Sequence, residues 1–278
     1  MRVTNTFLIS VLLGITVLGC NPVVNMFAFH PDSVNVMPTE NLPHEVQEFT
    51  IATEDNVKIT SLYLPNEKSN RLLIYFHGNA GNIYHRIPSL LQLHKFGINV
   101  IGVSYRGYGK SEGNPSEAGI YADGEAMVRH AIDRLGFYEQ NIIIFGRSIG
   151  TTVAISTAQN KNIRGLILVT PLTSGKEQAK ASGLSSISLL AGDSFDNITK
   201  INNIKSPLLV IHGTNDQIIP YSMGKEIFDR ANVKKSFVRI EGADHNNLHA
   251  KFSQEYWLPI FKFIGKEEKV PEGLNIDQ

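Results

Sequence analysis

Asn141-Ile142-Ile143-Ile144-Phe145-Gly146-Arg147-Ser148-Ile149-Gly150 is the stretch on which the fold turns. A short continuous apolar run, 142–145, suits a strand buried on both faces of a parallel sheet. It meets a G-x-S-x-G string at once, and a helical pattern over 148–159 follows. Strand, G-x-S-x-G and helix in immediate succession are the context a nucleophile elbow requires. The turn forces Ser148 into a strained backbone conformation and leaves its hydroxyl exposed. Glycines at 146 and 150 remove the Cβ atoms that would strike the neighbouring strand and helix. The helix N-terminus behind the hydroxyl favours a developing negative charge.

The same pattern extends in both directions. Apolar runs recur at 71–76, 98–103, 166–169 and 208–211, with a weaker one at 237–240. Helical patterns lie between and after them, at 83–96, 116–135, 221–231 and 248–264. Upstream, 45–53 and 57–64 are β-rich runs joined by the polar turn Glu54-Asp55-Asn56, which predicts an antiparallel hairpin. Alternating strands and helices specify an α/β fold: a mostly parallel twisted sheet, an N-terminal antiparallel hairpin and helices on both faces. One connection is irregular. The insert 171–206 exceeds a usual loop and carries the apolar stretch Leu184 to Leu190, so it reads as a lid-like or functional segment.

Ser148 needs an acid and a base downstream, because in this architecture the chain order is Ser, acid, His. Asp216 follows the 208–211 run through a short Gly-containing turn, which puts its carboxylate at the C-terminal edge of the sheet. Asp193, Asp196 and Asp244 are its competitors. His245 follows the last strand and precedes the last helix. A neutral imidazole there can take the Ser148 proton and return it to a leaving group, while Asp216 fixes its tautomer. His249 is the rival base. The loop His77-Gly78-Asn79-Ala80-Gly81-Asn82 follows the 71–76 strand, where backbone N–H donors can stabilise an oxyanion. The expected donors are the N–H groups of Ile149 and Asn79, with Ala80 an alternative to Asn79. His77 precedes the nucleophile and is read as structural. Tyr105 to Gly113 reads as a structural turn, with substrate contact by Tyr105 or Tyr108 the other reading.

These four elements, in this order, resemble the α/β-hydrolase superfamily over about residues 45–264. Within it, Tyr75 to Asn82, Tyr105 to Gly113, the elbow and His212 to Asp216 resemble the ABHD-type depalmitoylases and the serine-aminopeptidase-like S33 group. The resemblance implies hydrolysis of an ester, thioester or amide through an acyl-enzyme. A carboxylic-ester or thioester hydrolase is the leading expectation, acting on a small-molecule or acylated substrate without a cofactor. An aminopeptidase-like amidase and a non-catalytic envelope binding protein on a hydrolase scaffold are the alternatives.

Composition narrows the setting. The 278 residues carry 26 Lys+Arg against 26 Asp+Glu, with no basic stripe to attract nucleic acid. A single cysteine excludes an internal disulfide framework and a multi-Cys zinc site, and the histidines form no metal-ligand set. That cysteine ends an apolar run after Met1-Arg2, and Val17-Leu18-Gly19-Cys20 resembles a bacterial lipoprotein signal. The run is shorter than a membrane span needs. The expectation is therefore a signal peptide at 1–19, a lipidated Cys20, a tether at 20–44, the hydrolase domain at 45–264 and a polar tail at 265–278. A lipid chain anchors at about 0.8 kcal/mol per buried methylene. The protein would sit in the bacterial envelope, on the periplasmic side or in the outer membrane.

Overall fold

The computed structural model describes residues 22–265; the expected signal segment, Cys20 and the rest of the tail lie outside the described residues. Eight strands form the central sheet. In chain order they are β2 (Gln47–Ala52), β3 (Lys58–Leu64), β4 (Leu72–Phe76), β6 (Asn99–Val103), β7 (Ile142–Arg147), β8 (Gly165–Val169), β9 (Leu208–Gly213) and β10 (Lys235–Ile240). Across the sheet they run β10-β9-β8-β7-β4-β6-β3-β2. From β10 to β6 every pairing is parallel, and β3 and β2 close the edge antiparallel. The hairpin turn places Asn56 at φ 60, a conformation that Asn tolerates well.

Burial on both faces follows from the period of two. In β7, Ile142 and Ile144 enter one core while Ile143 and Phe145 enter the other, and β4, β8 and β9 divide alike. Helices α3 (Glu117–Asp133) and α4 (Gly150–Ala158) cover the first face with Ile120, Met127, Val153 and Ala154. Helices α2 (Ile87–His94) and α9 (Ser253–Ile264) cover the second with Leu90, Leu93, Trp257 and Ile260. Helix α7 (Tyr221–Arg230) adds Met223 and Ile227 to the first core.

Three expectations are corrected. The helix read over 83–96 is a 3-10 turn, Tyr84–Arg86, followed by α2, whose first turn contains a proline. Gly97, at φ 74, closes that segment. The helix read over 248–264 is split into α8 (Leu248–Lys251) and α9, because Phe252 leaves helical angles at φ −116, ψ 45. The stretch expected as a tether is structured at its start, while most of 31–44 is exposed. Helix α1 (Pro22–Ala28) leads to the two-residue strand β1 (His30–Pro31), which pairs parallel with β5 (Ala80–Gly81). Phe29 is buried with its ring edge-on to Phe195, 6.0 Å between centroids. Asn82 donates from Nδ2 to the carbonyls of Asp32 at 3.1 Å and Asn35 at 2.9 Å. The apolar Phe29, the Asn82 side-chain donor and the loop carbonyls of Asn79 and Gly81 hold this segment; prolines limit helix length but do not prevent docking.

The loop after β6 is held by a buried ion cluster. Asp123 accepts from Arg106 Nε at 2.9 Å and from the Arg106 backbone N–H at 2.8 Å, and Asp55 takes the other end of the guanidinium. Asp123 is fully buried. Removing it leaves the buried Arg106 Nε and backbone N–H without an acceptor and Asp55 as the cation's remaining partner, so Asp123→Ala is expected to cost about 3 kcal/mol. Thermal unfolding should show a fall of roughly 6–12 °C. An unchanged melting temperature would rule out the cluster as a stabilising element.

Candidate active site

The elbow has the geometry its glycines imply. Ser148 sits at φ 55 between β7 and α4, and its N–H donates to the Val169 carbonyl at 2.9 Å, which pins the turn to β8. A Cβ on Gly146 would lie 2.5 Å from the Gly150 carbonyl oxygen and 2.7 Å from the Ala154 Cβ. A Cβ on Gly150 would enter the carbonyl oxygens of Phe76 and His77. Both positions therefore exclude any side chain.

Three residues from separate loops converge on this turn. Ser148 Oγ lies 3.0 Å from His245 Nε2, and His245 Nδ1 lies 2.8 Å from Asp216 Oδ2. All three are buried. Asp216 sits in the loop after β9, where its Oδ1 accepts the N–H groups of Ile218 at 2.9 Å and Ile219 at 2.8 Å. The His245 loop closes onto β9 because Gly213 leaves room for the Ala243 backbone. Asn215 N–H then donates to the Ala243 carbonyl at 2.9 Å. Burial alone would push the Asp216 carboxyl up. Hydrogen bonds from His212 and His245, with the Ile219 N–H, outweigh it and hold the group below the usual carboxylate range. Asp216 therefore remains an acceptor for the imidazole across neutral pH, and the proton on Nδ1 leaves the Nε2 lone pair facing Ser148.

The loop 77–82 lies against the elbow. Gly78 approaches Ser148, and Asn79, Ala80 and Ile149 line the same cavity as Ser148 and His245. Among the described residues no intramolecular acceptor takes the N–H of Asn79 or of Ile149. The backbone around Asn79 is fixed from several sides. His30 N–H and Tyr108 Oη–H donate to the Asn79 carbonyl at 3.1 and 2.7 Å. His77 is wholly buried, and burial with the Arg86 charge pushes its pKa down to about 3, so the ring is neutral. Its Nδ1–H donates to the Gly78 carbonyl at 2.7 Å, which sets the plane of the peptide carrying the Asn79 N–H.

The rival residues sit elsewhere. Asp244 accepts the N–H groups of Asn246 and Asn247 in an exposed turn, and Asp196 caps a short helix, α6 (Asn197–Lys200), through the Thr199 N–H. Asp193 is exposed. His249 lies on α8 with its Nδ1 buried and unpartnered. Tyr105 and Tyr108 are buried, and they donate to the His77 and Asn79 carbonyls from beneath the loop. Among the described residues no three His, Cys, Asp or Glu side chains gather closely enough to hold a metal ion.

The site opens into a cavity of about 480 Å³. Part of its wall comes from the insert, through Leu172, Leu184, Leu190 and Phe195. Another part comes from α1, through Val24, Phe27 and Ala28, which sequence reasoning did not place at the site. Arg86 and Arg147 also reach the cavity. Arg147 adjoins Ser148 in sequence, but Arg86 lies in no motif, and nothing in the chain order marks it. His212, within 3.3 Å of Asp216 Oδ2, was also missed. Its place four residues before the acid, inside the quoted motif, was the available signal.

The arrangement has known counterparts. A family model described as serine aminopeptidase, S33, matches residues 67–198. Human alpha/beta hydrolase domain-containing protein 17B is 32% identical over 226 residues, covering 80% of this chain and 76% of that protein. Its counterpart from Xenopus tropicalis is 33% identical over 226 residues, with the same coverage of 80% and 76%. Among solved structures, an esterase from Pyrococcus furiosus superposes with a TM-score of 0.71 at 24% identity, over 85% of this chain and 97% of that one. An alpha-beta hydrolase from Vibrio vulnificus gives 0.64 at 23% identity, over 78% and 81%. The extent of similarity to the 17B proteins, carried on the fold and elbow described above, places this chain in the α/β-hydrolase family.

Proposed function

We propose that the protein is a serine hydrolase that cleaves a carboxylic ester or thioester through an acyl-enzyme. The observation that carries this reading is the unbroken relay from Ser148 Oγ through the His245 ring to Asp216 Oδ2. As Oγ attacks the carbonyl carbon, His245 Nε2 takes its proton. The carbonyl oxygen becomes an anion, and the N–H groups of Asn79 and Ile149 stabilise it. The bond to the leaving oxygen or sulfur then breaks, and the leaving atom receives the proton from Nε2. Water repeats the sequence and frees the acid and Ser148. The apolar cavity wall, with Ala28, Leu172, Leu184 and Phe195, suits an acyl chain.

A fluorophosphonate probe tests the nucleophile. We expect a covalent adduct on wild-type protein, mapped by mass spectrometry to the peptide containing Ser148. A folded sample that takes no label, or takes it elsewhere, overturns the reading. The S33 description favours one second reading, an aminopeptidase-like amidase. Turnover of peptidyl amides without turnover of short-chain 4-nitrophenyl esters would select it.

The membrane setting belongs to the same proposal: a lipidated Cys20 in the bacterial envelope. The sequence around Cys20 supports it, and so does the position of α1, which begins just beyond that cysteine and lines the cavity. Phe27, Leu190 and Ile218 are exposed at the cavity wall, a surface that suits acylated substrates held near lipid. Cys20→Ala should move the protein from the membrane fraction to the soluble fraction on immunoblots. Unchanged membrane retention would refute lipid anchoring at this residue.

A further inference from the structure

The two arginines at the cavity have no role in the relay. Among the described residues neither guanidinium has a carboxylate within salt-bridge distance. Arg86 donates from one Nη2 to the Ala80 carbonyl at 2.7 Å, and its Nε is buried without a partner. Arg147 donates from Nη2 to the His245 carbonyl at 3.0 Å. Each guanidinium has five N–H donors in a fixed fork, so most of each fork is free. Burial pulls the Arg86 guanidinium below its usual range, and the nearby Arg147 charge adds to the effect. Arginine nonetheless stays protonated in proteins. Two like charges thus share one cavity wall beside Ser148, with no acid to offset them.

The cavity is divided chemically. Its apolar lining residues Ile149, Leu172, Phe195 and Ile219 belong to the core on one face of the sheet. Arg86 and Arg147 stand at the loops, held by the carbonyls of Ala80 and His245. The leaving group must sit beside the His245 ring, because that ring protonates it. Arg147 holds the backbone of His245 itself, and Asn246 next to it lines the cavity. Arg147 therefore stands on the leaving-group side, and Arg86 reaches the same cavity.

From this geometry we infer that Arg86 and Arg147 form an anion subsite, and that the substrate is an acyl ester or thioester whose leaving half carries a carboxylate or phosphate. The inference rests on the serine-hydrolase reading. The acyl carbon passes to Ser148 Oγ, the bond to the leaving atom breaks, and that atom departs with the His245 proton while its own anion stays on the arginines until release. Guanidinium forks match both anions in geometry.

Three octanoyl esters test this: those of 4-hydroxybenzoate, 4-hydroxybenzamide and 4-hydroxyphenyl phosphate. The amide is neutral, close in shape to the benzoate and the more electron-withdrawing, so intrinsic reactivity opposes the expected order. Wild-type kcat/KM should favour at least one anionic ester over the amide by roughly tenfold or more. The larger of the two preferences identifies carboxylate or phosphate. Arg86→Gln and Arg147→Gln should bring that ratio towards one, and Arg147→Lys should keep part of it. A role limited to holding loops would change all three rates together and leave the ratio alone. Should the Gln variants fail to fold, a salt series on wild type from about 0.01 M to about 1 M should erode the ratio. Equal or inverted preference, or a ratio indifferent to both the variants and salt, overturns the subsite while leaving the hydrolase intact. Turnover that Ser148→Ala lowers by less than about tenfold, or no turnover of any ester, instead overturns the hydrolase reading beneath it.

Discussion

Ser148→Ala is expected to lower kcat for ester hydrolysis by about 10⁶-fold, the scale at which a serine nucleophile and its base act as one unit. The loss is this large because no other hydroxyl can take its place. Ser148 Oγ is the group within 3.0 Å of His245 Nε2, and the turn that presents it tolerates no side chain at Gly146 or Gly150. Alanine keeps the backbone that the turn imposes at φ 55, so the fold should survive. It also keeps the Asn79 and Ile149 N–H donors and the cavity wall. Residual catalysis over water of about 10³–10⁴ is therefore expected to persist, from oxyanion stabilisation and binding alone. Adding His245→Ala to Ser148→Ala should cost little more, because each residue works only through the other. Single-turnover kinetics on the single and double variants measure this. A loss below about tenfold for Ser148→Ala would remove Ser148 from the chemistry.

What the chain reveals about itself divides along physical lines. The central strands β4, β6, β7, β8 and β9 were legible because each is a short, mostly apolar run buried on both faces, and the pattern in Ile142 to Phe145 admits few other structures. The elbow was legible because steric exclusion leaves a residue-level mark: glycine at 146 and at 150. Asp216 and His245 could be found because chain order and strand ends limit where a carboxylate and an imidazole can meet a serine. Features decided by tertiary contact left no such mark. Phe252 breaks the last helix although nothing in its neighbours forbids helix there. Residues 22–35 dock because Phe29 finds Phe195 and because Asn82 finds the carbonyls of Asp32 and Asn35, partners far away in the chain. The insert could be recognised as unusual by length, but not that its 3-10 turn Ser185–Ala191 and α1 would share one cavity. Arg86 became informative only when its surroundings showed no acid.

Asp216→Asn should lower kcat by about 10⁴-fold while leaving the shape of the site nearly intact. The argument runs through hydrogen-bond roles rather than charge alone. Oδ1 of Asp216 accepts two backbone N–H groups, those of Ile218 and Ile219. An asparagine must give its carbonyl oxygen to that position, since an NH₂ there would face two donors. Its NH₂ then takes the Oδ2 position, opposite His245 Nδ1 at about 2.8 Å. Nδ1 is forced to accept, the imidazole proton moves to Nε2, and the lone pair that should receive the Ser148 proton is gone. The same NH₂ also meets His212 Nε2, which lies near both Asp216 Oδ2 and the Ile219 carbonyl. Stability should follow the carboxyl's lowered pKa. A depressed folded-state value means the carboxylate's contribution is complete above its ordinary pKa of 3.8 and is lost as pH falls through the lower folded value. The wild-type advantage over Asp216→Asn in chemical denaturation should therefore be full near neutral pH and shrink in acid below about pH 4. A variant that keeps near-normal kcat, or a stability gap that widens in acid, would mean that Asp216 neither sets the His245 tautomer nor is ionised by the bonds around it.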